Sequence, residues 1–168
     1  MADVTATGAV VAGVQAGQVR DVVTVAAQLA KRFDVSLVYV TVDPALLQAG
    51  TRSDGSAIVE PIDPDTADTE PQPLPAEDIA TLEQTAARHG VAVEVLTRVG
   101  DPARALARVA DERDAVMIVV GTQTGRRRIA EFFNGSVAAR LADQQHRPVV
   151  VVPVGPVGFD GPLPWDPS

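Results

Sequence analysis

The run AVMIVV, residues 115–120, is apolar at every position. A half-buried strand alternates apolar with polar, and a surface helix repeats every three to four residues. An unbroken apolar run of this length instead fits a strand covered on both faces. Such a strand belongs inside a parallel sheet flanked by helices. This one segment therefore points to the α/β class and sets what the rest of the chain must supply. Parallel neighbours need further strands, and crossover segments long enough to return between them.

The other segments provide both. GAVVAGV (8–14) reads as a short buried strand, and VSLVYVTV (35–42), rich in β-branched residues, as a second. Residues 18–32 between them keep helical spacing, with Val22, Ala26, Leu29 and Phe33 on one face. Lys31 and Arg32 fall in the last turn, at the negative end of the helix dipole. PAEDIATLEQTAARHG begins at a proline, has early acids and stops at Gly90, which punctuates a helix with core face Ile79, Leu82 and Ala86. VAVEVLTRV (91–99) alternates as a third strand. GDPARALARVADERD offers Asp101 as an N-cap, Pro102 at the first helical position, and the stripe Leu106, Val109, Ala110. Residues 136–146 form the last helix and RPVVVVPV (147–154) the fifth strand. Five strands alternating with four helices predict a doubly wound, mainly parallel five-stranded sheet with helices on both faces. Ligands in such sheets sit beyond the strand C-termini where the strand order reverses, so 15–18, 43 onward and 121–135 are the loops of interest.

Charge divides the chain unevenly. Nine acids and one base, Arg52, lie between Asp43 and Ile79, which gives −8, the formal net charge of the whole chain. The body is therefore neutral. Residues 43–75 are rich in Pro, Asp, Thr and Gly and poor in apolar surface, and they read as a long mobile loop, either a tolerated insertion or a lid. The expected organisation is one domain over 1–154 carrying this acidic insertion, then a Pro/Gly-rich tail over 155–168. An acidic total argues against nonspecific nucleic-acid binding. No run approaches the length of a membrane span, and the N-terminal apolar run is shorter than a signal-peptide core, so a soluble cytoplasmic protein is expected. Cysteine is absent, which removes thiolate catalysis and cysteine metal sites. His89 and His146 fall at helix ends without metal-ligand spacing, and no Gly-x-Ser-x-Gly elbow occurs. Neither a metal site nor a catalytic group is expected.

The loop GTQTGRRRIAEFFNGS, residues 121–136, is the strongest site candidate. It leads into a helix, whose first amides are unpaired and favour an anion. Glycines let the backbone come close, Ser136 offers a hydroxyl, and Arg126, Arg127 and Arg128 offer charged donors. On spacing alone, a solvated basic surface loop explains the stretch as well. It is not a P-loop, since no Gly-Lys-Ser/Thr is present.

The strand AVMIVVGT, the spacing from Gly125 across nine residues to Gly135-Ser136, the opening VVAGVQAG, GDPARAL and the closing RPVVVVPV together resemble the universal stress protein family. The resemblance covers roughly residues 8–154 without the acidic insertion. It implies a flavodoxin-like fold of strand order 3-2-1-4-5, a homodimer paired through the fifth strand (Val149, Val150, Val151, Val152), and, in one branch of the family, ATP across the first and fourth strand ends. Carried onto this chain, the nucleotide site would comprise Gln15, Val40 (backbone contact to a base), Gly121, Gly125, Arg126, Gly135, Ser136 and Val137, with ATP or another adenine nucleotide as ligand. The chain departs from that branch at three points. Gln15 stands where an acid is usual, three residues rather than two separate Gly121 from Gly125, and Ala138 replaces a hydroxyl residue. The implied role is stress-related binding or regulation rather than turnover. The alternative is a nucleotide-free dimeric module that uses its acidic loop and edge strand.

Overall fold

The structure is a computed structural model and describes residues 8–16, 19–55, 57–63, 65, 70–122 and 137–154. In chain order its elements are β1 (Ala9–Gly13), α1 (Val19–Phe33), β2 (Ser36–Asp43), β3 (Leu46–Thr51), β4 (Ala57–Pro61), α2 (Ala76–His89), β5 (Val93–Val99), α3 (Pro102–Glu112), β6 (Ala115–Gly121), α4 (Val137–Gln144) and β7 (Val149–Val152). Five strands make one sheet in the order β5-β2-β1-β6-β7, and every pairing in it is parallel. Numbered among themselves these strands run 3-2-1-4-5, the order the family resemblance implies.

Strand alternation sends successive residues to opposite faces. Val10, Ala12, Leu37, Tyr39, Met117 and Val119 project to the face covered by α1 and α2. Val11, Val38, Val40, Ile118 and Val120 project to the face covered by α3 and α4, where they meet Leu106, Val109 and Leu141. β1 lies at the centre, and its Ala9, Val10, Val11 and Ala12 are all buried. β6 is buried almost throughout, as its unbroken apolar run requires.

Helix ends follow the local chemistry. The Asp101 carboxylate accepts the Arg104 amide and Pro102 opens α3. Gly90 closes α2 at φ 65°, the left-handed conformation that glycine adopts without a Cβ penalty. His89 Nδ1 lies 2.9 Å from the Thr85 carbonyl, inside the last turn of α2. On α1 the buried stripe is Val19, Val22, Val23, Ala26, Ala27 and Ala30. Phe33, expected on the core face, is 54% exposed. The stripe is rotated toward Val23, Ala27 and Ala30, small side chains that let the helix lie close to the sheet, and the terminal Phe33 is carried off it. Arg147 ties the start of β7 to its neighbours, donating through Nε to the Ala115 carbonyl at 2.8 Å.

The main correction concerns residues 43–75. In place of an irregular loop, β3 and β4 form an antiparallel hairpin. Its turn contains Asp54-Gly55, with Gly55 at φ 87° and its amide bonded to the Arg52 carbonyl at 2.9 Å. Little apolar surface is needed because the anchoring is concentrated. Leu46 is 2% exposed, and Leu74, just before α2, joins the main core. Asp43 holds the base: its carboxylate accepts the amides of Ala45 at 2.9 Å and Gln72 at 3.3 Å, and its carbonyl accepts the Gly100 amide at 2.9 Å.

Candidate functional site

The crossover through α1 covers one face of the sheet and that through α3 the other. The strand order therefore reverses between β1 and β6, and the two chain exits there diverge to opposite faces. Gly13 pairs with Val120, so Gly121, the last residue of β6, and Gln15, two residues past the end of β1, lie at the ends of adjacent strands. Gln15 is exposed.

β1 stops early. It pairs with β2 only as far as Gly13 opposite Val40, whereas β2 continues through Thr41, Val42 and Asp43 with β5 as its one partner strand. Among the described residues, one side of the upper part of β2 is thus left without a neighbouring strand, at the opening where β1 ends. Val40 lies below that opening. Its side chain is 1% exposed, and its carbonyl accepts the Val14 amide at 2.9 Å. Peptide groups alternate between the two neighbours of a parallel strand. Because Val40 presents its carbonyl toward β1, Val42 presents its own peptide groups the same way, past the end of β1.

Gly121 is a glycine for a packing reason. A Cβ built there would lie 2.8 Å from Val22 Cγ2 and 2.9 Å from Val154 Cγ2, because α1 and the exit from β7 close over it. Gly13 faces the opposite helix layer, where a Cβ would lie 2.9 Å from Leu106 Cδ1. Thr122 continues this tight junction. Its amide bonds to the Val152 carbonyl at 2.9 Å, and its hydroxyl oxygen accepts the Val154 amide at 2.8 Å.

Val137 begins α4 and is half-buried against the α3 side of the core. Beside it, the Arg140 guanidinium donates to Asp101 Oδ2, which joins the first turn of α4 to the N-cap of α3. Partial burial pushes the Asp101 carboxyl up, but the Arg140 hydrogen bond, the Arg104 amide and the charge of both arginines outweigh it and hold the group below its ordinary value. The structure thus brings Gln15 and Gly121 to one edge, buries Val40 beneath them, and sets Val137 at the start of α4. Gly125, Arg126, Gly135 and Ser136 lie outside the described residues. Asp43, Val42 and Arg140 were not singled out from sequence. The one available signal was that Asp43 directly follows the predicted strand 35–42, at the start of a loop of interest in a sheet that binds ligands at strand ends.

A family model for the universal stress protein family matches residues 10–153. The chain belongs to the universal stress protein family. Solved structures agree with the fold. A universal stress protein crystallised in complex with cAMP is 24% identical, with TM-score 0.56, over 89% of this chain and 98% of that one. One from Archaeoglobus fulgidus in complex with dAMP is 20% identical, with TM-score 0.51, over 86% and 97%. A universal stress family protein from Burkholderia pseudomallei is 21% identical, with TM-score 0.53, over 88% and 97%. A search of curated proteins finds no match. Among the described residues, no helix is long and apolar enough to cross a membrane.

Proposed function

We propose that this chain is a cytoplasmic stress-response protein that binds an adenine nucleotide in the crevice above β1 and acts by binding rather than turnover. The observation that carries the reading is the early end of β1, which leaves the peptide groups of Val42 without a strand partner on that side among the described residues. A purine edge needs one donor and one acceptor side by side, and a strand peptide left without a neighbour offers both. The base contact first assigned to Val40 therefore moves to Val42. The two relatives crystallised with cAMP and dAMP make adenine nucleotides the ligands to try first. Phosphates would extend toward α4, where Val137 begins the helix; the roles of Gly125, Arg126, Gly135 and Ser136 there rest on the sequence pattern. Binding without turnover is supported, among the described residues, by Asp43 and Asp101 at the strand ends, both engaged by backbone amides.

We further propose a homodimer through β7. It is an edge strand of the sheet, and Val151 on it is 40% exposed. An apolar edge strand is an association hazard that pairing between two copies removes.

Calorimetric titration with ATP, AMP and cyclic AMP tests the site. Measurable heat is expected for at least one of them, and its absence for all three at millimolar ligand refutes the reading. Gel filtration with light scattering tests the dimer, and a 17.5 kDa species at high concentration ends that part.

A further inference from the structure

We propose that the outward face of the β3–β4 hairpin is a docking surface for a basic, amphipathic segment of a partner protein. The inference stands apart from the nucleotide reading and uses a region that the crevice does not need.

Register defines the face. Leu46 pairs with Pro61 and is buried toward the body, so the next pair, Leu47 and Glu60, points outward. Ile58 and Ile62 lie two residues either side of Glu60 and share its face. The Ile62 amide bonds to the Ala45 carbonyl at 2.9 Å, which keeps Ile62 in line with the ladder. Leu47 is 49% exposed and Ile62 55%, and they are two of the four large exposed hydrophobics among the described residues. The buried side of the hairpin accounts for its anchoring. Its outer side gathers Leu47, Ile58 and Ile62 around Glu60 on one face, the kind of apolar cluster with a polar rim that interaction surfaces present.

Charge selects the occupant. Asp54, Glu60, Asp63, Asp65 and Glu70 belong to this hairpin and its exit, against Arg52 as base. A second copy docking face to face would bring like charges together, which opposes self-association. Addition of a strand to the outer edge is discouraged by Pro61, which lacks an amide hydrogen. What remains is recognition by side chains: lysines or arginines against the acids, with apolar residues between them against Leu47, Ile58 and Ile62. The platform is firmly seated, through Asp43 and through Leu46 near Gly100. β3 lies against β5, whereas β7 forms the other edge of the main sheet, so the surface stays accessible in a β7-paired dimer.

The test uses the full chain without nucleotide and two synthetic capped peptides of equal length and charge, one alternating Lys with Leu and the other Lys with Ser. Affinity is read by calorimetry and location by amide chemical shifts. The Lys–Leu peptide is expected to bind at least about tenfold more tightly, as half-burying two aliphatic side chains implies, with shifts confined to residues 46–62. Leu47→Ser with Ile62→Ser brings its affinity to the Lys–Ser level, leaves Lys–Ser binding unchanged, and leaves amide shifts outside the hairpin at their parent positions, which shows the variant folded. Glu60→Lys weakens both peptides. Equal affinity for the two peptides, shifts centred elsewhere, or indifference to the Leu47/Ile62 double substitution overturns the proposal.

Discussion

Asp101 offers the sharpest test of how the helix layer beside the crevice is held. Its carboxylate has two duties that substitutions can separate. One oxygen accepts the Arg104 amide at 2.9 Å, and the other receives the Arg140 guanidinium. Asp101→Ala removes both. Loss of an N-cap costs about 1 kcal/mol. The ion pair joins side chains that are 36% and 27% exposed, so it adds at most about 1 kcal/mol. The sum is about 1–2 kcal/mol, or roughly 2–8 °C in Tm for a chain of this size. Asp101→Asn keeps a capping oxygen and loses only the ion pair, so its loss stays under about 1 kcal/mol and matches that of Arg140→Ala. Denaturant titration of the three variants measures these terms. The pH dependence gives a second reading. A carboxyl held below its ordinary value contributes stability that is full above that value, here 3.8, and is lost as pH falls through the folded-state pKa. The gap between the parent protein and Asp101→Asn is therefore flat near neutrality and closes only in acid below 3.8. If Asn destabilises as much as Ala, or the gap does not change with acid, the division of labour at Asp101 is wrong.

Three further outcomes follow from packing. Gly121→Ala places a methyl within 2.8 Å of Val22 and 2.9 Å of Val154, so a loss of about 1–3 kcal/mol is expected by thermal denaturation, and unchanged stability refutes the packing role. Leu141→Ala empties the one buried position of the eight-residue α4 and costs about 2–5 kcal/mol; a loss under 1 kcal/mol would mean that α4 is not docked as described. Tyr39→Phe removes a buried 3.3 Å hydrogen bond to the Val23 carbonyl and costs about 0.5–1.5 kcal/mol in denaturant titration, with any larger loss contradicting so long a bond.

Local chemistry made most of the sheet legible in the sequence. The apolar run of β6, the Asp101-Pro102 start of α3 and the Gly90 stop of α2 each have short-range causes, and each took the expected form. The hairpin was missed because proline and acidic residues lowered the apolar content of 43–75 as a whole. Its signal was present at smaller scale: LLQAGT and AIVEP flank an Asp54-Gly55 turn. Phe33 was misplaced because four-three-four spacing fixes a face but not where that face points at the last turn. The glycine at 121 was legible as a requirement but not by cause, since the atoms crowding it come from Val22 and Val154, distant in sequence. Val42 emerged only from register, because the point where β1 leaves β2 is a property of two strands together.

Gly13 and Gly121 close adjacent strands, and each is overlaid by a different helix layer, one by Leu106 and the other by Val22 and Val154. Bulk gained at either glycine has to be surrendered by its own overlying neighbour. Lineages that acquire alanine at 121 are therefore expected to carry a smaller residue at 22 or 154, and those that acquire it at 13 a smaller residue at 106. The two ends of this central seam should drift as independent compensating sets.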